Sequence, residues 1–188
     1  MLTVDFFPRI HTAIAEWMAC MTFILPQSKR FGGKDPRQFA LYGLFLLLQS
    51  FICQWMDSVT SNGLWMLLML AAMLSMFLMI QTTCRLRPAE ACYIWAHAFL
   101  AAEFTASMAW QMNYYLLAGN NVSTFGTWIV MAAVYALDFG VIYALNRHIS
   151  IFQWRQTITL KELISVMITA IAAFALSNLS FALKDNIF

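Results

Sequence analysis

Residues 64–80 read LWMLLMLAAMLSMFLMI: seventeen positions with one hydroxyl, at Ser75, and no ionisable group. Wound as a helix, the run has no polar face to offer water, and as a strand it has no alternation. Such a segment is stable only when apolar surroundings enclose it, in a large core or in a bilayer whose hydrocarbon takes roughly 20 residues to span. The rest of the chain decides for the bilayer. Of 188 residues 62% are hydrophobic and 11% charged, whereas soluble domains hold roughly half and a quarter. Apolar runs recur at about 6–25, 38–55, 64–81, 88–117, 127–145 and 160–183. They leave no length for a sizeable soluble domain. Hydrocarbon satisfies no backbone group, so each run is expected to be a helix. The expected fold is all-α: one domain over 1–188, a polytopic bundle of six transmembrane helices.

Local signals mark some of the ends. Pro26 is expected to stop the first segment. Pro88 suits the first turn of the fourth, where its missing N–H costs nothing. Thr159 and Glu162 stand in capping-box spacing before the sixth. Lys29, Arg30, Lys34, Arg37, Arg85, Arg87, Arg147, Arg155 and Lys161 fall in alternate connections and account for nine of the eleven basic residues. The positive-inside rule makes the loops at 27–37, 83–88 and 146–159 cytoplasmic and both termini extracellular. Trp55, Trp65, Trp128 and Trp154 lie near segment ends, as interfacial anchors do. The stretch 146–158, NRHISIFQWRQTI, reads either as a solvated loop or as an amphipathic piece along the inner surface. His148 within it reads as a surface residue.

The chain carries no P-loop, GxSxG, HExxH or glycine-rich dinucleotide turn. No catalytic residue is therefore assigned. A net charge of +2, with no basic patch interleaved with aromatics, excludes nucleic acid as a partner. Cys20, Cys53, Cys84 and Cys92 lack CxxC spacing and a nearby histidine pair, which favours packing over disulfides or metal. No metal or cofactor is expected, and the partner common to all six runs is membrane lipid.

Ionisable groups inside spans face the protein interior and are functional candidates. Here they are Glu16, Glu103 and Asp138, all near the expected midplane, with His97 before Glu103. On the wheel of the fourth segment, Ser107, Trp110 and Tyr114 fall within about 40° of Glu103 and Gln111 within about 80°. This stripe is expected to meet other helices or a wet cavity, because an acid facing lipid at the centre costs about 2.5–3.5 kcal/mol. Two readings stand. The acids hydrogen-bond across helices as structural glue, or they converge on a site reached from outside along the stripe and receive a ligand's positive group.

The phrases PRIHTAIAEWMACM (8–21), CRLRPAEACYIWAHAFLAAEFTASMAWQMNYYL (84–116) and FALSNLSFAL (174–183) resemble the N-terminal membrane region of GHKL-type sensor histidine kinases from Gram-positive anaerobes. The resemblance implies a multi-pass sensor in the bacterial cytoplasmic membrane, working in two-component signal transduction. It implies that the kinase domain lies outside these residues, that the signal is an extracellular peptide or small molecule, and that the full-length protein is a homodimer. By position, Glu16 with Trp17, and Glu103 with Trp110 and Gln111, match its polar sites. The alternatives are a six-helix substrate-binding subunit of a small-molecule importer, or an intramembrane assembly protein. Importer subunits of that kind usually place the N-terminus inside, opposite to the charge pattern here.

Overall fold

The computed structural model describes residues 10–28, 36–59, 61–84, 86–117, 124–153 and 158–184. These form six helices: α1 Ile10–Ser28, α2 Pro36–Ser58, α3 Asn62–Cys84, α4 Pro88–Leu117, α5 Thr124–Gln153 and α6 Leu160–Lys184. The all-helical expectation holds over them.

Backbone chemistry explains most of the helix starts. Pro36 and Pro88 occupy first helical positions, where no donor is lost. Arg87 precedes α4, and its N–H donates to Glu90 Oε2 at 3.2 Å. At α6 the capping box forms in both directions. The Thr159 N–H donates to Glu162 Oε2 at 2.8 Å, and the Glu162 N–H reaches Thr159 Oγ1 at 3.4 Å.

Two expected ends are corrected. α1 runs through Pro26 to Ser28. A proline removes one donor and crowds one carbonyl, but its fixed φ is helical, so a last turn can continue past it. α5 continues to Gln153, eight residues beyond its expected end, so 146–153 is helix rather than loop. No Gly or Pro lies between Gly140 and Leu160 to stop it. Trp154 lies outside the described residues, as does the His148 side chain.

Among the described residues, α1 packs against α2, α3, α4 and α5, and α4 packs against α1, α3, α5 and α6. α2 touches α1 and α3, α5 touches α1 and α4, and α6 touches α4 alone. α1 and α4 are thus a central pair. Small residues buried on both helices let backbones approach at their seam and at the flanking contacts: Ala13, Ala15 and Ala19 on α1, and Ala91, Ala98, Ala102 and Ala109 on α4. Phe99, Ile24 and Ile80 fill the remaining space. Two indoles tie helices to carbonyls. Trp17 Nε1 donates to Tyr42 O at 3.0 Å and Trp95 Nε1 to Met73 O at 2.9 Å.

Among the described residues three helices, not the expected six, are long and apolar enough to cross a membrane: Gln38–Met56, Gly63–Cys84 and Phe125–Arg147, in α2, α3 and α5. α2, α3 and α5 leave much of their surface open, while α1 and α4 each pack against four helices and carry Glu16 and Glu103.

Candidate functional site

A buried chain of hydrogen bonds joins α1, α2 and α3. Gln49 Nε2 donates to Glu16 Oε2, and Gln49 Oε1 accepts from Ser75 Oγ. The same Nε2 faces the Ala72 carbonyl at 3.4 Å, and Ser75 Oγ lies 2.8 Å from that carbonyl. Glu16 and Gln49 are each 3% exposed and Ser75 is 4% exposed. The amide has one consistent orientation. Carboxylate and carbonyl oxygens accept, so its NH2 faces Glu16 and Ala72, which leaves its oxygen for the serine hydroxyl. Each helix supplies one polar side chain to a node that apolar neighbours seal.

Glu103 is half-buried on α4 and interacts electrostatically with Glu16. Asp138 is half-buried on α5, one turn beyond Tyr135. Its Oδ2 is buried without a hydrogen-bond partner. Tyr135 itself ties α5 to α1, its hydroxyl donating to His11 O at 2.9 Å. The His11 ring lies 4.5 Å from that of Trp128.

His97 turns back on its own helix. Its Nδ1 lies 2.9 Å from Tyr93 O and its ring 4.4 Å from that of Tyr93. A carbonyl only accepts, so Nδ1 carries the proton.

The stripe corrects the expectation that it meets other helices or a wet cavity. Ser107, Trp110, Gln111 and Tyr114 are exposed on the surface of the chain. Beyond Glu103, α4 is buried along one strip, Ala102, Thr105, Ala109 and Asn113. At about 100° per residue the stripe falls on the far side of the helix. There Trp110 and Tyr114 stack on each other, with ring centres 5.6 Å apart.

Gln49 and Ser75 are absent from the sequence-based set, which started from ionisable groups and the helix face beside Glu103. Uncharged polar residues inside the apolar runs LLLQSF and AMLSMF were the available signal, since such side chains hydrogen-bond between membrane helices. Beside them lies a cavity of about 10 Å³, lined by Gln49, Ser75, Trp17, Phe45 and the sulfur-bearing Cys20, Met76 and Met79. All four cysteines are free, three of them buried. Among the described residues no group of three His, Cys, Asp or Glu side chains is placed to hold a metal ion. Comparison with protein-family models, with curated proteins and with solved structures found no match to this chain.

Proposed function

We propose that the chain is the membrane-embedded sensor module of a two-component histidine kinase. In this reading all six helices cross the bacterial cytoplasmic membrane, both termini are extracellular, and the basic connections are cytoplasmic. Large apolar side chains standing in the open support the membrane part. Leu47, Leu67 and Leu137 are each more than 60% exposed, an arrangement that water penalises and lipid does not. α1 and α4 cross as the sheltered pair, which lets them carry Glu16 and Glu103.

The observation that carries the reading is the polar node. Glu16, Gln49 and Ser75 join three helices, and Glu103 on α4 interacts electrostatically with Glu16. Protonation of this node, or binding of a positive group to it, alters forces on the three helices at once and acts on Glu103. A sensor needs that coupling. The kinase assignment rests on the resemblance of 8–21, 84–116 and 174–183. The importer reading is less favoured, because such subunits usually place the N-terminus inside, opposite to the charge pattern of this chain.

The test is signal-dependent output from the intact gene product, wild type against Glu103→Gln at matched membrane amounts. The substitution keeps shape and hydrogen bonding, and as glue it costs about 0.6 kcal/mol. The expected result is a folded protein with a response reduced by about tenfold or more, the loss of one favourable charge contact of about 1.4 kcal/mol. An unchanged response removes Glu103 from signalling. A gene product that phosphorylates no histidine removes the kinase reading.

A further inference from the structure

The cavity beside Gln49 is unsuited to the occupant its size first suggests. Its volume is close to the room of one water molecule, but a buried water makes about three hydrogen bonds. The polar groups on the wall are already committed. Gln49 serves Glu16, Ala72 and Ser75, and the Ser75 hydroxyl serves Gln49 and Ala72. The Trp17 N–H is held by Tyr42 O. What remains is sulfur and aromatic faces: Cys20, Met76 and Met79, all 2% exposed or less, with Trp17 and Phe45.

We propose that this cavity binds a soft monovalent cation, Cu(I), through Cys20 Sγ and the thioethers of Met76 and Met79. Thiolate and thioether are the ligands that select Cu(I), and an aromatic wall is tolerant of a cation. Charge and protons balance. Cys20 releases its thiol proton to the surrounding buffer as Cu(I) takes its place on Sγ, so the net charge of the site is unchanged. No electron is transferred.

α3 also offers a route. Met66, Met69, Met73, Met76 and Met79 follow one another at helical spacing. Met66 is exposed, Met69 and Met73 are half-buried, and Met76 and Met79 are buried. Thioethers thus lead from the open end of α3 to the cavity wall. The inference stands apart from the sensor reading, since a chain that binds Cu(I) but serves no kinase keeps the site.

The test uses the full chain in detergent micelles, with copper held as Cu(I) by ascorbate and bicinchoninate as competing chelator. One Cu(I) per chain is expected, with thiolate-to-copper absorption in the ultraviolet. Cys20→Ser should abolish that absorption. The volume-conserving double change Met76→Leu/Met79→Leu should weaken binding by about tenfold or more, since loss of mere outer-shell partners already costs 10–100-fold. Its melting temperature should be unchanged, which separates lost ligation from lost folding. Cys92→Ser should bind as wild type. Failure of the wild type to hold Cu(I) against the chelator overturns the proposal. So does binding that survives Cys20→Ser, or full affinity in the double methionine variant.

Discussion

α1 and α5 lie side by side, yet they are buried to very different extents. α1 buries Ala13, Ala15, Glu16, Ala19, Cys20 and Ile24. Over the apolar span of α5 only 17% is buried, and Ile129, Leu137, Val141 and Leu145 stand in the open. The number of neighbours accounts for the difference, since α1 packs against four helices and α5 against two. The chemistry of the buried faces differs too. α1 turns mainly small side chains inward, which lets several backbones approach it, whereas α5 meets its neighbours through the large Met131, Tyr135 and Phe139. The polar node lies on the crowded side, where close helices can link short polar side chains.

The comparison breaks most readily in the seam. Ala98→Leu puts a branched chain where α4 has no space, and overpacking of this kind costs about 1–3 kcal/mol. A clear fall in melting temperature in detergent is expected, and an unchanged one would mean that the seam is loose. Next comes Gln49→Leu, which leaves Glu16 and Ser75 buried without their shared partner, a loss of about 1–3 kcal/mol. Hydrogen exchange at the surrounding backbone should rise in α1, α2 and α3 together. A change confined to α2 would show that the node does not couple them. The smallest effect is expected at Leu137→Ala, within about 0.5 kcal/mol as for open positions generally. Destabilisation there equal to that of Ala98→Leu would place α5 inside the structure and undo the contrast.

What the sequence made legible was local. Pro88 opens α4, and Thr159 with Glu162 opens α6, because a cap depends on residues within one turn. The far end of α5 was obscure for the complementary reason. Basic residues at 147 and 155 mark the expected side of a membrane, not where a helix stops, and nothing near them breaks one. Depth suggested that Glu16, Glu103 and Asp138 belong together, but depth does not say which flank of a helix a neighbour covers. The stripe of Ser107, Trp110, Gln111 and Tyr114 shows the same limit. A wheel gives the angles between residues on α4, but which angle is covered depends on where α1, α3, α5 and α6 stop. Gln49 and Ser75 were readable as polar residues inside apolar runs, but their meeting depends on three helices arriving at one level.

The single attachment of α6 has a mechanical consequence. Among the described residues it touches α4 and no other helix, through a face that includes Phe174, 6.3 Å from Phe99. A body with one point of support has one source of motion. Any tilt or slide of α4, the helix that carries Glu103, reaches α6 undiluted, while displacements elsewhere arrive only after α4 has yielded to them. In the language of linkages, α4 is the crank and α6 the rod.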